Sequence, residues 1–180
     1  GRTPGPRRSP SPRPGHADLA GVLKYNEGIR EVLERSSARE TAMRVAVGAL
    51  TKLLLREFGI ELASHVVQIG EACLHEKEII FDEICVKAGH SSVRCICKGT
   101  EKLMMAAIDN AMRDRDSLGG IFEVRAKGVP IGLGSHVHYT RKLDGRIARG
   151  LMSLQSVKAV EIGLGTKLGE LRGSQAHDEI

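Results

Sequence analysis

Between Val45 and Phe58 the apolar side chains Val45, Ala46, Ala49, Leu50, Leu53, Leu54 and Phe58 recur three and four positions apart. That spacing puts them on one face of an α-helix and predicts a long one. Ahead of the run, Ser37 and Glu40 stand three apart, the spacing of a capping box in which each side chain satisfies a free N–H of the first turn. Gly59 supplies a stop. The helix so bounded holds about 21 residues, about 32 Å at 1.5 Å each, and its broad apolar arc predicts burial between layers. Helical spacing already begins at Ile29.

Beyond Gly59 the pattern changes. IELASHVVQIG (60–70) is rich in β-branched residues and predicts a strand, while EIIFDEICVKAG (78–89) fits either element. TEKLMMAAIDNAMRDRD (100–116) predicts a second helix, with Thr100 as N-cap and Leu103, Met104, Ile108 and Met112 on one face. DSLGG (116–120) is a turn, IFEVRAKG (121–128) a strand, and VPIGLGSHVHY (129–139) a Gly-rich connection with an extended end. RKLDGRIARGLMSLQ (141–155) carries Leu143, Ile147, Leu151 and Leu154 at helical spacing, and VKAVEIGLG (157–165) reads as a short buried strand. Helices alternating with strands predict a mixed α and β layer architecture. The first 15 residues hold five of the six prolines and no apolar periodicity, so an extended segment is expected there. It leads into RPGHAD (13–18), where Pro14 and Gly15 set up a turn presenting His16 and Asp18. No closing element follows GSQAHDEI, and both ends read as cut.

Charge narrows the function classes. The formal net charge is +5, but Arg2, Arg7, Arg8 and Arg13 of the opening segment account for four of those charges. The remainder is close to neutral, which argues against a nucleic-acid binder. Aromatic residues make up only 3%. Cys73, Cys85, Cys95 and Cys97 form no CxxC pair, which favours reduced thiols inside a cell. No apolar run reaches the roughly 20 residues of a membrane span.

Two stretches carry candidate chemistry. The N-terminus of a helix favours an anion, and Arg35 and Arg39 around Ser37 add two permanent charges with forked donors. A phosphate or carboxylate site and a plain capped helix with solvated arginines both fit. In RPGHAD, His16 is suited to moving a proton near neutral pH, with Arg13 beside it to neutralise an anion; a simple loop histidine fits as well. His136-x-His138 lacks a third ligand for a metal, and Cys95-x-Cys97 reads as alternating strand positions. The GLG triplets at 132–134 and 163–165 do not extend to a dinucleotide fingerprint.

Six blocks in order resemble the chorismate synthase family: RPGHADLAG (13–21), ERSSARETAMRVAVGAL (34–50), DSLGGIFEV (116–124), GVPIGLGS (128–135), KLDGRIARGLMSLQSVKAVEIGLG (142–165) and GSQAHDEI (173–180). The resemblance implies an α+β fold, a β-α-β sandwich with antiparallel sheets around helices, here incomplete, in a cytoplasmic homotetramer, or a plastid one in a plant or alga. It divides the chain into a Pro/Arg-rich segment, 1–12, and a partial chorismate synthase domain, 13–180. The implied activity is a lyase converting 5-enolpyruvylshikimate 3-phosphate to chorismate and phosphate by anti-1,4-elimination, on the shikimate route to aromatic amino acids. The implied cofactor is reduced FMN (FMNH2), which the enzyme regenerates itself with NADP chemistry or receives from an external reductant.

Residue by residue, the resemblance assigns His16 as a catalytic acid and Arg13 and Arg39 as substrate contacts. Arg35, Ser36 and Ser37, with Gln155 and Ser156, become flavin contacts. It implies no metal, nucleic-acid or membrane partner. The family's GESHG block with its first histidine, the following arginine-rich loop, and the KPIPT-like and RSD-like blocks are absent, and Glu27-Gly28 replaces a more acidic pair. The fragment alone is therefore expected to be inactive or nearly so. The alternative is a non-catalytic flavin-nucleotide or anion-binding module.

Overall fold

A computed structural model describes residues 11–75 and 79–177. Most of the expected 1–12 segment and the last residues of GSQAHDEI lie outside them. In chain order the described residues form α1 (Asp18–Tyr25), α2 (Ile29–Ser36), α3 (Glu40–Glu57), β1 (Glu61–Ile69), β2 (Ala72–Cys73), α4 (Phe81–Lys87), α5 (Lys98–Asp114), β3 (Gly120–Lys127), α6 (Leu143–Met152) and the single turn α7 (Gly173–Ala176). Short 3-10 turns occupy Ala88–His90, Tyr139–Arg141 and Gly165–Glu170. The chain gathers into two compact units, 1–48 with 132–180, and 49–131.

The 49–131 unit is built on an antiparallel sheet in the order β2-β1-β3. Glu61 pairs with Lys127 and Val66 with Phe122, and a bulge follows between Val66 and Gln68. Ala63, Leu74, Ile84, Ala88, Cys95, Ile96 and Met104 form its core. His65, 1% exposed, sits directly across from Glu123, and its Nε2 lies 2.7 Å from Glu123 Oε2. A buried imidazole is costly without such a partner. Burial alone would raise the Glu123 carboxyl, but hydrogen bonds from His65 and Arg125 outweigh it and leave the pKa lowered.

Several expectations change here. The α+β class and the strands near 60–70 and 121–128 are as expected, and the described residues contain one sheet. Within the ambiguous 78–89 stretch, Phe81–Lys87 folds as α4. The α5 helix starts at Lys98, with Cys97 at the N-cap accepting the Glu101 N–H through its carbonyl, so Thr100 lies inside the first turn rather than capping it. Of the expected apolar face only Met104 is fully buried, and Leu103 and Met112 face solvent. Cys95 and Cys97 lie outside any strand, the Cys95 thiol donating to the Cys97 carbonyl. Among the described residues none of Cys73, Cys85, Cys95 and Cys97 forms a disulfide. No residue of α3 is buried, and Val45 and Phe58 are each 71% exposed. The expected burial between layers is thus not supplied by the described residues. No described helix is long and apolar enough to cross a membrane.

In the unit of 1–48 with 132–180, α1 and α2 form a helical hairpin. Asn26, at φ 54, closes α1 by donating its N–H to the Val22 carbonyl, and the chain turns back at Gly28. The helices meet where Gly21 faces Val32, the buried residue of α2. A Cβ on Gly21 would overlap Val32 Cγ1, and a β-branched side chain in a helix has almost no other rotamer to retreat to. Within this unit α6 is as expected, ending at Met152. The expected strand at 157–165 is not formed: 157–162 has no regular structure and a 3-10 turn starts at Gly165, because no neighbouring strand is present among the described residues to complete a ladder. The Gly-rich connection likewise ends in the 3-10 turn at Tyr139–Arg141 rather than extended, with His138 Nδ1 engaged by Thr140 Oγ1 at 2.8 Å.

Gly21→Ala tests the hairpin contact. Alanine is the better helix former by about 1 kcal/mol, yet overpacking against Val32 is expected to lower unfolding free energy by about 1–3 kcal/mol in urea denaturation. A rise in stability would mean the helices do not meet at this glycine.

Candidate functional site

Every residue assigned above lies in the unit of 1–48 with 132–180. RPGHAD makes a tight turn in which the His16 N–H reaches the Arg13 carbonyl at 3.3 Å. Pro14 takes the second position and Gly15, at φ 71, the third, the combination a type II turn requires. The His16 ring is exposed, and its Nδ1 lies 3.0 Å from the Pro14 carbonyl. A carbonyl can only accept, so Nδ1 carries the hydrogen and Nε2 is left for proton exchange.

The turn does not present Asp18 as expected. Its side chain is fully buried and ties the loop from inside. Arg13 donates its backbone N–H and Nε–H to Asp18 Oδ2, both at 3.0 Å, and Nη2–H to Oδ1 at 3.2 Å. Those bonds from Arg13, its side chain first, hold the Asp18 carboxyl down at about 2. Arg13 is half-exposed, and among the described residues its Nη1 is left uncommitted for an anion.

The second segment ends α2. Ser36 Oγ donates to the Val32 carbonyl at 3.0 Å, and Ser37 leaves the helix as its C-cap. The expected capping box is not formed: Ser37 Oγ accepts the N–H of Arg39 at 3.2 Å, an ST turn, and α3 starts at Glu40. The Glu40 carboxylate instead accepts from Arg44 and Gln155. Among the described residues no carboxylate pairs with Arg35 or Arg39, and both are exposed. Two free guanidinium groups beside serine hydroxyls suit a phosphate.

α1, which follows the His16 turn, and α2, which ends at Arg35 and Ser36, are joined by a short connection and touch at Gly21 and Val32.

The third segment arrives from far along the chain. Gln155 Nε2 donates to Glu40 Oε2 at 2.8 Å, Glu40 Oε1 takes Arg44 Nη2 at 3.4 Å, and Arg44 Nη1 reaches Ser153 Oγ at 2.8 Å. Ser156 is held at φ 71, a left-handed conformation that a side chain rarely adopts and that clusters at ligand sites. Gln155 Oε1 is buried and has no partner among the described residues. Such an orphaned acceptor fits a ligand carrying an N–H, as a flavin ring does.

Sequence reading had assigned Glu40 only a cap and had missed Arg44 and Ser153. The spacing of Glu40 and Arg44 by four was a signal for their pair. Nothing local signalled the bridge to Gln155.

The family profile described as Chorismate synthase matches residues 7–180. The chorismate synthase of Brevibacillus brevis is 55% identical over 175 residues, which cover 97% of this chain and 45% of that protein. That of Shouchella clausii is 54% identical over 176 residues, with coverages of 97% and 45%. A crystal structure of chorismate synthase aligns with a TM-score of 0.85 at 45% identity, covering 91% of this chain and 52% of that one. The chain thus spans about half the length of the relatives it matches.

The Arg13–Asp18 tie has a pH signature. An Asp whose pKa falls from about 3.9 unfolded to about 2 folded contributes stability that is present above the unfolded value and lost as pH falls through the folded one. Urea midpoints of the unaltered protein are therefore expected to exceed those of Asp18→Asn above about pH 4, the gap closing as pH falls to about 2. A gap independent of pH would contradict the ion pair.

Proposed function

The chain belongs to the chorismate synthase family, and on that premise we propose that it supplies one wall of the active site of a chorismate synthase. The reaction proposed for the whole protein is the 1,4-elimination of phosphate from 5-enolpyruvylshikimate 3-phosphate. The C–O bond to phosphate breaks, a ring hydrogen departs, and a new double bond forms with no net oxidation. What carries the reading is Gln155 Oε1, buried and unpartnered among the described residues, which the bond from Gln155 Nε2 to Glu40 ties to the segment just after Arg35–Ser37.

His16 is the proton donor of this wall, its Nδ1–H fixed by Pro14 and its Nε2 exchanging the proton. Arg13, through Nη1, and Arg39 bind the anionic groups of the substrate. Arg35, Ser36 and Ser37, together with Gln155 and Ser156, would hold FMN, the guanidinium and hydroxyls suiting a phosphate and the Gln155 acceptor a ring N–H. Reduced FMN, when bound, supplies electron density while phosphate leaves. The partial domain runs from residue 13, preceded by the Pro/Arg-rich segment 1–12. The exposed apolar arc of α3 is the surface that chain of the relatives' full length would cover. The assembled enzyme is read as a cytoplasmic homotetramer. The alternative of a non-catalytic anion or flavin module is disfavoured by 55% identity to a chorismate synthase.

His16→Ala in the protein as it occurs naturally is expected to lower kcat by about 10²–10⁴-fold, with FMN affinity close to unchanged in a fluorescence titration. Undiminished turnover would remove His16 from the chemistry.

A further inference from the structure

The bond between Glu40 and Gln155 links positions 115 residues apart and leaves one of its own members unsatisfied. A carboxylate can only accept, so the Gln155 atom facing Glu40 Oε2 must be the NH2 group. The amide is planar, so fixing Nε2 fixes Oε1 as well. That oxygen is buried without a partner among the described residues, a costly arrangement unless something in the working protein donates to it. Glu40 is braced in turn: Arg44 Nη2 holds Oε1 at 3.4 Å, leaving Oε2 to Gln155.

We infer that Glu40 is a positioning residue for the flavin site: its carboxylate locks the Gln155 amide in one orientation, with Oε1 turned to accept an N–H of the bound ring. The inference rests on the flavin reading of Gln155 proposed above and adds what sets the amide's polarity. Without Glu40, Gln155 could rotate by half a turn and offer its NH2 where the acceptor is required. A flavin ring N–H would then face a donor. Glu40 need not touch the flavin to matter for its binding.

A double-mutant cycle read by FMN fluorescence titration, in the protein as it occurs naturally, separates this from other roles. Gln155→Leu and Glu40→Ala are each expected to weaken FMN binding by about 10-fold, and the double variant by about the same 10-fold, because Glu40 acts only through Gln155. Glu40→Gln, which keeps the shape and an acceptor but no longer dictates the amide's direction, is expected to lose only about 3-fold. Ser153→Ala removes the other hydrogen bond of Arg44 and is expected to leave affinity within about 2-fold, which separates positioning from general bracing of the segment.

A double variant weakened by about 100-fold would overturn the inference, since additive losses mean independent action. So would a Ser153→Ala loss equal to that of Glu40→Ala, or unaltered binding in Glu40→Gln alongside a 10-fold loss in Gln155→Leu. If Arg35→Ala weakens FMN and Gln155→Leu does not, the flavin reading stands and this inference falls. If the unaltered protein binds no FMN, both fall.

Discussion

The candidate site depends on a close approach between two short helices. Gly21 lets α1 lie against Val32 of α2. That contact packs the helix following the turn at residues 13–16 against the helix that ends at Ser36. The energetic content is small-residue packing over buried Val32. A larger residue at Gly21 would move the turn before it altered any polar group.

Around that contact, charge is used in two different ways. The Asp18 carboxylate is buried and fully occupied by Arg13, a fixed tie that shapes the loop and leaves part of the guanidinium for other work. Arg35 and Arg39 carry no carboxylate partner among the described residues and remain available to an anion. The Glu40 carboxylate, read from spacing as a cap, serves the Gln155 amide and Arg44 instead. A helix start can be satisfied by turn geometry, as Ser37 and Arg39 do here. That freed Glu40 for a contact of long reach.

Local elements were legible where local physics decides them. The β-branching of 60–70 made a strand, the Pro14-Gly15 pair made its turn, and the spacing of Leu143, Ile147 and Leu151 made α6. What depended on distant partners was not legible. Among the described residues the 157–165 stretch has strand composition but no neighbour to pair with, and the apolar arc of α3 has no layer over it. Helix α1 escaped notice because Leu19 and Leu23 face solvent while its buried positions are Asp18 and Gly21, so hydrophobicity did not mark its packed face. At the site, residue identities followed from resemblance. The Glu40–Gln155 bridge, which joins two of its segments, required coordinates.

Amide hydrogen–deuterium exchange with and without FMN tests most directly whether these separated segments form one site. The account expects FMN to slow exchange together in residues 35–40 and in residues 153–157, since ligand contacts at both would oppose local opening. Protection in one of these segments while the other exchanges unchanged, or protection confined to residues outside both, would contradict it.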